Sequence, residues 1–269
     1  MEIADITKSR IKQYLANGMR FDGRKPLQYR DISIETGVSK KAEGSAKVKV
    51  GETEVWAGVK LGLATPFTDS PDSGVLMVTA ELSPMASEKF EKGPPSIASV
   101  ELARIIDRGI RESELIDLSK LSIKAGEKVW AVFLDIYPIN DAGNLIDASA
   151  LAALVALETA VFPEMENEEK INYGKFTTKK LPLNDHIPFT MTFYKLGENF
   201  LVDPTVEEEE ASDARLTISI SSSKKGEFVH AMQKGKDVPL TVEETGFIID
   251  NAVKEFKKLE SAFEKAVKQ

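Results

Sequence analysis

The sequence has no cysteine, only two histidines and just 7% aromatic residues among its 269 positions. Without cysteine there is no disulfide framework, no Cys-ligated zinc or iron–sulfur site and no thiol nucleophile, which fits a reducing compartment. The histidines, His186 and His230, stand in different contexts, and there is no Gly-rich phosphate loop or nucleophile elbow. Triad and hydride-transfer chemistries therefore lose their support, and each histidine reads as a surface or satisfied residue rather than a catalyst. Long apolar runs are missing as well. The small-residue stretch Ala148–Leu157 falls well short of the ~20 residues a bilayer needs, and Glu2 and Asp5 stand where a basic and then apolar leader would begin. The expectation is a soluble, cytoplasmic protein with no membrane contact.

What is present is the composition of a globular protein, 42% hydrophobic and 29% charged, enough for one large domain or two small halves without a stapling metal. The net charge of −8 argues against broad adhesion to nucleic acid or anionic lipid, while leaving room for a local basic site. Residues 1–30 are such a region: Lys8, Arg10, Lys12, Arg20, Arg24, Lys25 and Arg30 face only Glu2, Asp5 and Asp22.

Ile3, Ile6, Ile11 and Leu15 recur at helical spacing and predict a short amphipathic docking arm ending near Asn17-Gly18. Alternation at Ala46, Val48 and Val50, then Val55, Ala57 and Val59, predicts an antiparallel meander over 31–82, with a turn-rich loop at Thr65–Gly74. Pro94-Pro95 introduces a helix over Ser96–Ser113, with Ile97, Val100, Leu102, Ile105, Ile106 and Ile110 on its buried side. Val129–Ile136, apolar on both faces, reads as a central strand ending at Pro138, and Ala148–Phe162 as an Ala- and Leu-rich helix packed closely on a sheet. The second half repeats this order more loosely. Phe189, Met191 and Phe193 alternate, as do Leu216, Ile218 and Ile220, and a closing helix starts at a Thr241/Glu244 capping box with Ile249, Val253, Phe256, Leu259 and Phe263 on its buried face. The fold class is α+β: two similar halves with mixed or antiparallel sheets covered by helices. The division is an arm at 1–30, a first half at 31–163, a connection at 164–185 and a second half at 186–269.

Arg104, Arg108 and Arg111, spaced i, i+4, i+7, share one stripe of the predicted helix, opposite Ile105 and Ile106. Planar guanidinium forks in a row suit the oxygens of successive phosphates. Asp107, Glu101 and Glu112 offer the plainer alternative of a solvated face laced with ion pairs. Glu207-Glu208-Glu209-Glu210 with Asp213 is either an Mg²⁺ site or, more simply, a solvated acidic loop. Asp135, inside an apolar strand, is a candidate for a shifted pKa or for a carboxylate satisfied by a neighbour.

Several ordered motifs together resemble the RNase PH family of phosphorolytic exoribonucleases. They are Phe21-Asp22-Gly23-Arg24 with Arg30, then Gly44-Ser45-Ala46, Gly51-Glu52-Thr53-Glu54-Val55, and the arginine-bearing helix Glu101-Leu102-Ala103-Arg104-Ile105-Ile106-Asp107-Arg108. The resemblance implies two RNase PH-like halves assembled in hexameric rings, where RNA enters a central channel and inorganic phosphate cleaves its 3′ end. Active members carry a Gly-Ser/Thr-Arg phosphate motif after the buried strand, where this chain reads Gly143-Asn144-Leu145-Ile146. They also carry an aspartate at the start of a later strand, where this chain reads Ser212-Asp213-Ala214-Arg215.

These losses, with Leu-Pro-Leu at 181–183, Tyr137-Pro138-Ile139-Asn140 and the N-terminal helix, resemble the non-catalytic RNase PH-like subunit of archaeal exosome core rings. That resemblance implies no catalytic residue and no metal in this chain, with RNA held by Arg104, Arg108 and Arg111. The implied partners are single-stranded RNA, a catalytic RNase PH-like paralogue in a trimer of heterodimers, and RNA-binding cap proteins. Inorganic phosphate and Mg²⁺ would be used by the partner subunit. The alternative is an exoribonuclease active by itself, with Asp213 as general acid and Mg²⁺ at the glutamate run.

Overall fold

The computed structural model describes residues 3–166, 170–223 and 226–268. Helix α1 (Asp5–Ala16) leads into the first sheet, built from β1 (Ile32–Thr36), β2 (Gly44–Val50), β3 (Thr53–Ala64), β4 (Val75–Ala80), β5 (Ser122–Lys124) and β6 (Lys128–Asn140), ordered β1-β2-β3-β6-β4 with β5 beside β6. β1, β2 and β3 form the expected antiparallel meander, but β4 does not extend it. The 65–74 loop carries the chain beyond β6, and β4 pairs with that strand in parallel. β6 is central as expected, yet it runs through Pro138 to Asn140. A register shift between Glu54 and Val55, opposite Pro138, accommodates the residue that has no N–H to donate.

Helix α3 (Leu145–Glu158) lies at the centre of the molecule, between β2 and β3 on one side and the second half on the other, with every residue from Ile146 to Leu157 buried. Its alanines permit that closeness. A Cβ on Gly44 would fall 2.1 Å from the Ala156 carbonyl oxygen, so the glycine of β2 is required by the helix crossing it. Helix α2 (Ile97–Glu112), capped by the Ser96 hydroxyl, packs against β4 and buries Leu102, Ile105, Ile106 and Ile110. Ile97 and Val100 were expected on that buried side but are exposed, and Ser99 takes the buried position in the first turn.

The stretch 164–185, expected as an unpatterned connection, belongs largely to a hairpin of β7 (Val161–Glu166) and β8 (Lys170–Lys180), with 167–169 outside the described residues. The Leu-Pro-Leu segment then returns to the first half, where the Pro182 carbonyl accepts from Asp117 N and Leu183 bridges Ile116. The second sheet is ordered β10-β9-β11-β12 from β9 (Phe189–Leu196), β10 (Asn199–Val202), β11 (Ala214–Ser223) and β12 (Gly226–Gly235). Between β10 and β11 lies the one-and-a-half-turn helix α4 (Val206–Ala211). Helix α5 (Val242–Val267) begins at the expected Thr241/Glu244 capping box. Its fully buried line is Ile248, Ala252, Phe256, Leu259 and Phe263, so the face is rotated slightly from the one centred on Ile249 and Val253. The arm docks on the chain's own second half, where Ile11 and Leu15 pack with Tyr194, Leu196, Leu201 and Ala211. Among the described residues no helix is long and apolar enough to cross a membrane.

Candidate nucleic-acid interface

Helix α2 presents Arg104, Arg108 and Arg111 on its exposed face, as their spacing predicts. Arg111 is engaged, its guanidinium donating to both Asp107 carboxylate oxygens and, at 3.2 Å, to the Leu76 carbonyl. Arg104 and Arg108 have no side-chain hydrogen bond or ion pair among the described residues. Glu101, offered by the sequence as their partner, pairs with Arg215 at 2.7 Å instead. Two of the three guanidiniums therefore remain open to an external anion. Arg104 borders a groove of about 470 Å³ between α2 and β12, where Arg215 and Lys234 add cations and Ile97 and Val100 add apolar surface.

That groove adjoins a cavity of about 300 Å³ at the N-terminus of α3, where Lys89, Arg215 and Lys236 converge. A helix N-terminus beside three cations is a natural place for an anion. Here the anion is the chain's own Glu209, whose carboxylate accepts from Asn144 N at 3.3 Å and from the Tyr194 hydroxyl at 3.0 Å. Burial raises the Glu209 pKa, and those two hydrogen bonds only partly offset it. The cations are also committed. Lys89 pairs with Glu210, Arg215 with Glu101, and Lys236 donates to the Ser212 and Glu209 carbonyls while burial lowers its pKa.

A second network holds this corner in place. Asp203, fully buried with φ +48°, receives Arg30 Nη2 at 2.7 Å, Arg30 N and Arg24 Nη1 each at 2.8 Å, and Asn144 Nδ2 at 3.0 Å. Arg30 also donates to the Ala142 and Gly143 carbonyls, fixing the turn that opens α3. Gly143 must be glycine, since its φ is +90° and a Cβ would fall 2.4 Å from the Pro204 carbonyl oxygen. Arg20 is buried against Glu208 and the Val202 and Asp203 carbonyls. The basic N-terminal segment is thus largely spent internally. Its signal in the sequence was the charge excess over 1–30, which says nothing about where the partners lie.

The glutamate run does not converge. Glu208 faces Arg20, Glu209 the α3 terminus, Glu210 faces Lys89, and Glu207 is exposed. Among the described residues no group of three or more His, Cys, Asp or Glu side chains is placed to hold a metal ion. Asp213 accepts from Lys12 Nζ at 2.8 Å and Gly197 N at 2.7 Å. Partial burial raises its pKa, but these donors outweigh that and hold it below the ordinary value, which favours an ionised clasp for α1 over a proton donor. Asp135 is half-buried and takes the Thr79 hydroxyl at 2.6 Å. His230 shares a 2.7 Å hydrogen bond with Ser221 Oγ, but Ser221 is fully buried, so the pair braces a strand and presents no nucleophile.

The carboxyl with a large shift is Asp147, buried in α3, where burial pushes its pKa up to about 6 against the pull of hydrogen bonds from Thr192 and Tyr29. Its folded value exceeds its unfolded one, so its stabilising contribution is full below about pH 4 and lost as the pH rises through about 6. The unfolding free energy of wild type minus that of Asp147→Asn is expected to fall on the order of 3 kcal/mol between pH 4 and 7 in urea titrations. A flat difference would refute the shift.

The model of the 3′ exoribonuclease family's domain 1 matches residues 28–163, and that of its domain 2 matches residues 186–255. Exosome complex component Rrp42 of Thermococcus gammatolerans is 43% identical over 267 residues, covering 98% of this chain and 96% of that protein. The Archaeoglobus fulgidus component of the same name is 43% identical over 261 residues, covering 97% of each. Among solved structures, the Archaeoglobus fulgidus exosome with RNA bound to the active site superposes with a TM-score of 0.87 at 43% identity, covering 96% of this chain and 98% of that one. An archaeal exosome core superposes with a TM-score of 0.82 at 40% identity, covering 97% of each chain. Both halves of the fold and their order along the chain place this protein in the RNase PH family of 3′ exoribonuclease domains.

Proposed function

We propose that the chain is a non-catalytic ring subunit of an archaeal exosome-like 3′-to-5′ RNA-degrading complex, which binds single-stranded RNA and shapes the active site of a catalytic RNase PH-like paralogue. The observation that carries this reading is the α3 terminus filled by Glu209, with the neighbouring cations already paired. In phosphorolysis an oxygen of inorganic phosphate attacks the terminal phosphodiester phosphorus. The bond to the preceding 3′ oxygen breaks, releasing a nucleoside diphosphate and a shortened RNA with a 3′ hydroxyl. A site for that reaction holds the incoming phosphate in line by cations and oriented N–H groups. The Glu209 side chain occupies that position and takes the Asn144 N–H the phosphate would need. Phosphate and Mg²⁺ would be used by the paralogue, with which this chain alternates as a trimer of heterodimers in the cytoplasm, under RNA-binding cap proteins.

The role of this chain is to present Arg104 and Arg108, with Arg111 behind them, to the RNA backbone, contacts that position a strand without reading its sequence. Membership of an exosome is supported by the identity to the Rrp42 components over nearly the whole chain. The test is release of nucleoside diphosphates from 5′-labelled single-stranded RNA with phosphate and Mg²⁺. The purified chain is expected to release none, and activity is expected when the catalytic paralogue is added. Phosphate-dependent release by the chain alone, abolished by Asp213→Asn, would establish the self-sufficient enzyme instead.

A further inference from the structure

Glu101 heads the arginine ridge of α2. At about 100° per residue it falls about 20° from Arg108 and about 60° from Arg104 around the helix, so the three share one stripe. A carboxylate three residues before an arginine ordinarily pairs with it, and Glu101 is placed to neutralise Arg104. It is turned away instead. Arg215, the second residue of β11, holds it in a 2.7 Å ion pair at the groove between α2 and β12. Asp107, the other acid in this stretch of the helix, gives both its oxygens to Arg111. Arg104 and Arg108 are left open.

The seat for Arg215 is built from backbone. Across the second sheet it stands opposite Tyr194 on β9 and Gly235 on β12. A Cβ on Gly235 would fall 2.4 Å from Arg215 Nη2 and 2.7 Å from its Cζ, so the guanidinium lies over the bare β12 backbone, and glycine is required there. Two residues earlier on the same strand, Gln233 Nε2 donates to the Ile105 carbonyl at 3.1 Å and fixes β12 to this part of α2. The Arg215 side chain is only 11% exposed, whereas Glu101 is 49% exposed, and Arg215 Nε is buried without an acceptor among the described residues. Burying a fork with one donor unsatisfied costs folding free energy, and a pair with a half-exposed carboxylate returns little of it. What the arrangement does achieve lies on the outer face of α2.

We propose that Arg215 is a positioning residue for RNA: seated on Gly235, it holds the Glu101 carboxylate away from Arg104 and Arg108 and so keeps both guanidiniums available to phosphate. The inference rests on the RNA reading of α2 above. Its test is single-stranded RNA affinity of the assembled ring, measured by fluorescence anisotropy across a salt series. Arg215→Met removes the fork while filling its volume, and is expected to weaken binding about 3- to 5-fold and to reduce the slope of log affinity against log salt by about 0.7, one phosphate contact. Gly235→Ala unseats Arg215 while keeping every charge, and is expected to weaken binding in the same direction. Glu101→Gln is expected to bind RNA as tightly as wild type or more so, and to restore wild-type affinity when combined with either variant, because no carboxylate is then left to hold.

A loss in Arg215→Met that Glu101→Gln fails to reverse would mean that Arg215 touches RNA itself or only braces α2, and would overturn the proposal. A loss that Gly235→Ala does not share would reduce the effect to net charge and overturn it equally. Should Arg215→Met fail to assemble, Gly235→Ala with and without Glu101→Gln decides the question alone. If Arg104→Glu with Arg108→Glu leaves RNA affinity unchanged, the RNA reading of α2 falls and takes this inference with it. If that pair weakens binding while Arg215→Met and Gly235→Ala do not, this inference falls alone.

Discussion

A ring whose subunits of this type carry Arg104→Glu and Arg108→Glu is expected to hold single-stranded RNA on the order of 100-fold more weakly, with the apparent KM rising more than the chemical rate falls. Both guanidiniums are exposed and free of internal carboxylates among the described residues, so their whole charge is available to phosphate. Reversal adds repulsion to the loss. The neutral pair Arg104→Ala and Arg108→Ala separates these effects. Two contacts at about 0.7 each should reduce the slope of log affinity against log salt by about 1.4. Arg111→Ala is expected to do less, because Asp107 and the Leu76 carbonyl already occupy that side chain. Unchanged RNA affinity in the Glu pair, measured by fluorescence anisotropy on the assembled ring, would remove α2 from the RNA path.

Asp203→Ala is expected to destabilise the chain by about 3–5 kcal/mol, the usual result of removing one partner from a buried ion pair. Arg24 and Arg30 would lose their shared acceptor, Asn144 Nδ2 would lose the carboxylate it donates to, and alanine would sit at φ +48° with nothing to compensate the backbone. Because Arg30 also fixes the Ala142 and Gly143 carbonyls, the loss should extend to the start of α3, visible as faster amide exchange there. Asp203→Asn, which keeps the shape and part of the hydrogen bonding, should fall between. A change below about 1 kcal/mol in denaturant unfolding would mean the network does not hold this corner.

The elements legible in the sequence were those whose pattern is local. Alternation gave β2, β3, β9 and β11, helical spacing gave α1 and α2, and the Thr241/Glu244 box marked the start of α5. The ridge of α2 was legible for the same reason, since helical geometry alone puts Arg104, Arg108 and Arg111 on one face. Pairing beyond the meander of β1, β2 and β3 was not local and was not legible. The sequence placed β4 in the meander, where the fold sets it parallel to β6. Exposed Lys and Thr in 164–185 hid a hairpin that has little apolar pattern because almost all of β8 faces solvent. The filled cleft was invisible for a related reason. Glu209 belongs to a run of four like residues, and only the turn of α4 decides which of them points inward. Asp135 drew attention because its strand is apolar, whereas Asp147, in a helix of alanines, is the more deeply buried acid.

The clasp between the first thirty residues and the far end of the chain sets an order of events during synthesis. Arg20 must wait for Glu208 and Lys12 for Asp213, separations of 188 and 201 residues. At about 5–20 residues per second, that wait is on the order of 10–40 s after the arm leaves the ribosome. Through this interval Ile11 and Leu15 have no second sheet to lie on, and Arg24 and Arg30 have no Asp203. The arm is therefore fastened only after Glu208 and Asp213 have been made, long after its own residues.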